Sequence, residues 1–319
     1  MSDETIAVVV RRRREQGHAV VVLDLAALDG GSLPPFDAGA HVDVHLANGL
    51  VRQYSLCGDP GRRDVYRLGI LKDPVSRGGS AAAHASLQEG VQVRVGMPRN
   101  QFALAPGEHR SILFGGGIGV TPMIAMAHSL HTAGRPFELH YCGRSEAACA
   151  FLDELRQGPF QQHVHTHFDD GAPSQRLDPA AVLGPAAADS HVYVCGPVGF
   201  MDWIVAAARG CGLADTQVHK EHFQHDADTS GRSFDVVAKR SSKRVHVAAG
   251  QTIVEALAAQ GIRVKVSCEQ GICGTCICGV LAGVPDHRDV FLTEEEHADN
   301  DQIALCCSRS HSDELILDI

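Results

Sequence analysis

Three cysteines share one short stretch of the chain, Cys268, Cys273 and Cys276, in the spacing C-x4-C-x2-C, with Cys306 and Cys307 further on. Thiolates are soft ligands, and this spacing is that of a plant-type [2Fe–2S] cluster. Three of them converging on one small cluster need a sharply bent loop, which Gly271 and Gly274 permit. The backbone N–H groups of such a loop can also face the sulfides. A structural zinc ion is one competing reading, but zinc sites ordinarily pair two separated C-x2-C units; a set of buried free cysteines is the other. On residue type alone either Cys306 or Cys307 can supply the fourth thiolate. Cys278, at the alternate position two residues beyond Cys276, reads as a non-ligand.

A second kind of chemistry is written in glycine. Gly115, Gly116, Gly117 and Gly119 follow the apolar run Ile112–Phe114 and precede Thr121, Pro122 and a helical pattern. Strand, glycine turn and helix N-terminus together make a phosphate cradle, with close backbone approach, oriented N–H groups and a favourable dipole. Thr121 is placed to cap the helix and Pro122 to fit its first turn. The arrangement recurs at Cys195, Gly196 and Pro197, after the strand-like Val192–Val194. Two such turns at strand C-termini would line one crevice of an open α/β sheet. A tight turn uses glycine for steric reasons alone, and Cys195 by itself reads as a small buried residue.

A hydride from a nicotinamide carries two electrons, whereas a [2Fe–2S] cluster takes one at a time. A group able to divide the pair must stand between them, and a flavin is such a group. Arg52, Tyr54 and Ser55 offer a guanidinium for phosphate, an aromatic face and a hydroxyl. Gly78, Gly79 and Ser80 open a helical stretch, 80–87, whose N-terminus can hold a phosphate.

The elements that must position these groups fall into three parts. Residues 1–104 hold short β-branched or alternating runs at 8–10, 19–25, 41–46, 51–56 and 65–71, divided by Gly, Pro, Asn and Asp, as in a small antiparallel β-barrel. Pro98, Arg99 and Asn100 close this part. Residues 105–224 alternate strands (137–141, 164–168, 192–195) with helices (122–133, 148–157, 179–183, 197–209), the pattern of a doubly wound parallel α/β domain. A polar linker is read from Glu221 to Arg232, with 225–232 as its domain-level bounds. An α+β unit over 233–319 follows, where Thr252 and Glu255 form a capping box and Gly261 ends the helix.

Composition limits the alternatives. A length of 319 residues admits two or three domains. The formal net charge of −10 argues against a nucleic-acid binder. The basic run Arg11–Arg14 reads as an exposed part of the first strand. No apolar stretch approaches the roughly 20 residues that span a bilayer, and the N-terminus lacks the apolar core of a signal peptide. The expectation is a cytoplasmic chain with no membrane partner. Reduced thiols there make metal ligation the better use of 11 cysteines than disulfides.

With these parts in this order the chain resembles the phthalate dioxygenase reductase family, which includes the vanillate demethylase and phenoxybenzoate dioxygenase reductases. The likeness rests on Arg52–Leu56, Arg77–Ser80, Pro98–Asn100, Gly115–Pro122, Cys195–Pro197, the cysteine loop and Pro285–Asp289, and covers essentially the whole chain. It implies an FMN-binding barrel, an NADH-binding domain and a plant-type ferredoxin domain, acting as a monomer. It also implies electron delivery to a separate Rieske non-haem iron oxygenase that acts on an aromatic acid such as phthalate, vanillate or phenoxybenzoate. By the resemblance, Arg52, Tyr54, Ser55, Ile70, Lys72, Gly78, Gly79 and Ser80 hold the flavin. Gly115, Gly116, Gly117, Gly119, Thr121, Pro122, Cys195, Gly196 and Pro197 hold the nucleotide. Phe223 joins the cofactor site, and Ser55, Cys195, Glu221 and Phe223 flank the reacting rings. Cys268, Cys273, Cys276 and Cys306 ligate iron. Arg144 and Ser145 could accept a 2′-phosphate, which would favour NADPH.

Two other functions fit the same residues. The electron chain could serve a haem monooxygenase, since docking surfaces leave no short motif; a zinc-stabilised nucleotide-binding module would be colourless. His163, His165 and His167 alternate and would share one face of a strand, where solvation is the plainer reading than metal binding. Glu294, Glu295 and Glu296 after Thr293 read first as a helix cap and second as a docking face.

Overall fold

Alternating apolar residues open the chain as β1 (Thr5–Gln16), with Val8 and Val10 turned inward. The computed structural model describes residues 4–74, 78–184, 189–225 and 228–319, in two units divided between Glu221 and His222. The strands β2 (Val20–Ala27), β3 (Ala40–His45), β4 (Val51–Ser55), β5 (Tyr66–Leu71), β6 (Gln92–Gly96) and β7 (Arg99–Asn100) join β1 in one antiparallel sheet. Its order is β4-β3-β6-β1-β2-β5, with β7 on β3. An antiparallel bridge between Leu56 and Leu68 ties the end of β4 to β5, so the sheet closes on itself and leaves few free edges. Val21, Leu23, Val42, Val44, Leu68, Ile70 and Val95 fill its interior.

Two details depart from the sequence reading. That reading omits β6, although Gln92, Val93, Arg94 and Val95 alternate as a half-buried strand should. Arg11 and Arg12 are exposed as expected, but Arg13 and Arg14 are half-buried. Arg14 lies 3.7 Å from Asp24 and 3.3 Å from Glu154. The helix α1 (Gly79–Ser86) follows β5.

The second sheet of this unit is all parallel. It comprises β8 (Arg110–Gly116), β9 (Phe137–Gly143), β10 (Val164–Phe168), β11 (Ser190–Cys195) and β12 (Val218–Glu221), in the order β10-β9-β8-β11-β12. The order reverses between β8 and β11, the place where such sheets bind ligands. The crossovers carry α2 (Val120–Thr132), α3 (Leu152–Gln157), α4 (Pro179–Leu183) and α5 (Val198–Gly210). Ile112, Phe114, Val192 and Val194 of the strands pack with Met201 and Ile204 of α5. The helix expected over 148–157 is instead a 3₁₀ turn at Glu146–Ala148 and the short α3, because Phe151 takes φ +64° and gives its N–H to Gln16 Oε1 at 2.7 Å. Glu221, read as the start of a linker, ends β12: an edge strand needs one partner only, so half its residues are free to be polar.

The second unit, His222–Ile319, contains β13 (Phe234–Ala238), β14 (Lys243–Val247), α6 (Ile253–Ala259), β15 (Ile277–Ala282), β16 (Pro285–Asp286), α7 (Glu294–Asp299), β17 (Gln302–Ala304), β18 (Arg309–Ser310) and β19 (Glu314–Leu317). Its main sheet runs β14-β13-β19-β15-β17, and β16 pairs β18. Val236, Val247, Ile253, Leu257, Ile303 and Leu315 form its core. Thr252 caps α6 by accepting from Glu255 N at 3.1 Å while Glu255 accepts from Thr252 N at 2.9 Å. The same reciprocal pair, Thr293 and Glu296, starts α7. Among the described residues no helix is long and apolar enough to cross a membrane.

Candidate functional site

The two glycine turns lie side by side. β8 and β11 are neighbours with Gly115 opposite Cys195, so both turns leave the sheet at the same end. Their closeness explains the residue types: a Cβ on Gly119 would strike the Cys195 carbonyl and stand 2.7 Å from Gly196 N, and one on Gly196 would stand 3.0 Å from Gly116 Cα. Gly117 is different. Its φ of +56° suits glycine, and an added Cβ would meet nothing within 4 Å, so its backbone borders open space into which a ligand fits. Helix α2 begins there, one residue pair earlier than expected. Gly119 is its cap position, and Thr121, placed inside the first turn, donates its hydroxyl to Ile118 O at 2.9 Å instead of capping. Pro122 sits in that first turn, where its missing N–H costs no helix bond. Pro197 precedes α5.

Cys195 is fully buried, and burial, with Glu221 alongside, pushes its thiol well up, so it stays protonated. Glu221 is its register partner on β12. Burial raises the Glu221 carboxyl to about 8, against a hydrogen bond from Ser55 Oγ to Oε2 at 3.5 Å. Ser55 ends β4 of the barrel, so the barrel's Ser55 and the parallel sheet's Glu221 and Cys195 come together. On the same strand, burial lifts the Tyr54 phenol up to about 12, against the pull of Arg52, and keeps it a neutral donor. Arg52 lies directly against Gly79, where a Cβ would stand 2.8 Å from Arg52 Cγ; only a bare backbone leaves room for the side chain. Arg52 and the N-terminus of α1, with Gly78 at its cap position, thus form one cradle with donors suited to a phosphate.

Supporting contacts that the sequence did not announce hold this region. His84 Nε2 donates to Ile70 O at 2.9 Å, since a carbonyl only accepts. Ser80 Oγ accepts from Asp73 N at 3.1 Å. A Cβ on Gly69 would meet Phe151 Cζ at 2.8 Å and Thr121 Cγ2 at 2.9 Å, which shows how closely β5 approaches α2. Phe200 closes on the glycine turns in the same way, 2.8 Å from a Cβ on Gly116. Lys72 is exposed, its N–H on Ala19 O at 2.7 Å. Arg144 is exposed, and Ser145 Oγ accepts from Ala148 N at 3.2 Å as a turn cap. Arg77 lies outside the described residues, and Phe223 stands at the start of the second unit.

In that second unit the loop between α6 and β15 brings three thiols together with a fourth, that of Cys306 after β17. Cys268 meets Cys273 and Cys306, and Cys306 meets Cys276. Hydrogen bonds from Cys273 and then Cys306 hold the Cys268 thiol far below its usual range, and one from Cys306 lowers Cys276 as well. The backbone adds donors of its own, Gln270 N to Cys268 Sγ and Gly271 N to Cys306 Sγ, each at 3.3 Å. Gly271 and Gly274 take φ +70° and +68°, and a Cβ on Gly271 would stand 2.6 Å from Cys307 Sγ. Cys307 turns toward Ala304 O and Ser308 Oγ, 3.9 Å each, and Cys278 toward Gly279 O at 3.6 Å. All four converging cysteines are at most 9% exposed. Four soft donors, pre-placed N–H groups and exclusion of water fit an iron–sulfur cluster.

Comparison with known proteins agrees part by part. Residues 236–311 match the family model of the 2Fe-2S iron-sulfur cluster binding domain. A vanillate O-demethylase oxidoreductase of Pseudomonas sp. strain HR199 is 48% identical over 98% of this chain and all of its own length. The structure of a phthalate dioxygenase reductase, described as a modular structure for electron transfer from pyridine nucleotides to [2Fe-2S], covers 99% of this chain and 98% of its own at 35% identity and a TM-score of 0.76. An intact type IV self-sufficient cytochrome P450 monooxygenase matches 99% of this chain at 37% identity and a TM-score of 0.85; the match spans 41% of that longer chain.

Proposed function

The chain belongs to the phthalate dioxygenase reductase family, and from that premise we propose that its nucleotide is NADH, its flavin FMN and its electron acceptor a separate Rieske non-haem iron oxygenase. The activity common to that family is an oxidoreductase reaction of oxygenase systems, in which electrons pass from a reduced pyridine nucleotide through a flavin to a [2Fe–2S] cluster. The observation that carries the reading is the meeting of Ser55, Glu221 and Cys195 beside two adjacent glycine turns, in a chain whose other unit gathers four thiols. The partner's substrate, on this reading, is an aromatic acid. We assign the flavin to residues 1–104, the nucleotide to 105–224 and the cluster to 233–319, with 225–232 as linker, in a monomeric cytoplasmic protein.

When bound, the flavin turns one hydride into single electrons and the cluster carries them one at a time. The protein's share is placement. Gly115, Gly116, Gly117 and Gly119 admit the pyrophosphate to the N-terminus of α2, where Thr121 and Pro122 keep the first turn in shape. Gly196 and Pro197 form the facing wall, and the Cys195 thiol, kept neutral, gives the nicotinamide a small uncharged neighbour. Arg52, Gly78, Gly79, Ser80 and Lys72 take the flavin phosphate, while Tyr54 and Ile70 bound its ring. Ser55 Oγ holds its proton toward Glu221 Oε2. Glu221, whose carboxyl burial raises to about 8, would present a neutral group to the bound rings. Cys268, Cys273, Cys276 and Cys306 would ligate the iron.

A reconstituted assay tests this. With NADH, the purified protein and a Rieske oxygenase for an aromatic acid, substrate turnover is expected, and acid extraction should release FMN without FAD. A second reading, delivery to a haem monooxygenase, draws on the likeness to the self-sufficient cytochrome P450. Electron delivery to a haem monooxygenase, with none to the Rieske enzyme, would select it.

A further inference from the structure

Away from the crevice, one face of the parallel sheet gathers histidine. Glu138 and His140 sit two apart on β9, and His165 on the edge strand β10 is the direct register partner of His140. One ligand atom from each of the three lies within 4.8 Å of the others. His140 is 3% exposed, packed between the Phe114 ring at 5.2 Å and the His165 ring at 4.8 Å; His165 is exposed. His163, expected on the same face, lies in the preceding 3₁₀ turn with its ring against Phe137.

The hydrogen bonds fix where the protons are. His167 Nδ1 lies 3.1 Å from Gln175 O; a carbonyl only accepts, so Nδ1 carries a proton. With that proton on Nδ1, the neutral ring offers Nε2 as a lone pair. His140 Nδ1, 3.0 Å from that nitrogen, must donate to it. With its one proton on Nδ1, the neutral His140 ring offers Nε2 as a lone pair too. That lone pair faces Glu138 Oε2 at 3.3 Å. Arg110 donates to the other oxygen, Oε1, at 2.7 Å. Two acceptors thus face each other across a gap that wants a cation. Ligand atoms about 2.0–2.1 Å from a tetrahedral zinc stand about 3.4 Å apart, close to the separation seen here.

We propose that Glu138 Oε2, His140 Nε2 and the ring of His165 bind a borderline divalent cation of the Zn2+ type, with the fourth position open to water. Nitrogen and oxygen donors in this ratio suit zinc and its neighbours over magnesium or calcium. The relay from His140 through His167 to Gln175 O is the orienting hydrogen bond that metal-bound histidines ordinarily have. His165, exposed on the edge strand β10, would complete the set from the strand beside β9.

Equilibrium dialysis of the flavin- and cluster-loaded protein against Zn2+, with zinc and iron measured in the same samples, tests this. The wild type is expected to hold one more zinc per chain than Glu138→Gln or His165→Ala, at unchanged iron. His167→Ala should weaken that zinc about 10–100-fold. His297→Ala, in the separate group of His287, Asp289 and His297, should lose none. Equal zinc in the wild type, Glu138→Gln and His165→Ala would overturn the site. So would no zinc uptake by the wild type, which would mean that a proton fills the gap, or loss of the zinc in His297→Ala.

Discussion

A carboxyl that burial raises to about 8 makes Glu221 a pH-dependent element of the fold. Its unfolded value is near 4.5, so between about 4.5 and 8 the folded state binds the proton that the unfolded state has lost. The stability it contributes is therefore complete below about 4.5 and drains away as pH rises through about 8. Thermal unfolding of the first unit should show that decline in the wild type and a flatter profile over the same window in Glu221→Gln; an identical slope in both would remove Glu221 as the cause. At the cluster, Cys273→Ser takes away one of four converging thiols while leaving every residue of the glycine crevice in place. NADH-driven reduction of ferricyanide should survive in that variant, and cytochrome c reduction should fall to background. Undiminished cytochrome c reduction would show that electrons leave by another route.

At the scale of elements, the two glycine turns depend on a close approach that any side chain would block. Gly119→Ala places a methyl against the Cys195 carbonyl and 2.7 Å from Gly196 N, with no flexible atom to yield. A stability loss of about 1–3 kcal/mol is expected, together with a raised KM for NADH; denaturant unfolding and steady-state kinetics would measure both. These turns were legible in the sequence because the demand is local: strand, glycines and helix are contiguous, as are three of the four converging thiols. What the sequence hid depends on distant partners. The strand ending in Glu221 has no apolar pattern of its own and exists because β11 lies beside it. The helix break at Phe151 follows from a bond to Gln16 on the first strand. His165 and His167 were visible as an alternating pair, but Glu138 and His140 come to them only through the register of β9 on β10.

Across the whole molecule, each kind of chemistry has its own architecture. A closed antiparallel sheet carries the Arg52–Gly79 cradle, a parallel sheet reverses its strand order at the glycine turns, and a small α+β unit surrounds four thiols. The division of labour predicts a capacity as well as a path, because a flavin holds two electrons and a [2Fe–2S] cluster one. Anaerobic titration with NADH, followed by visible absorption and by electron paramagnetic resonance of frozen samples, reads that capacity directly. About three electrons per chain, with a reduced [2Fe–2S] resonance, is the predicted result. Saturation at about two electrons with no cluster resonance would contradict it.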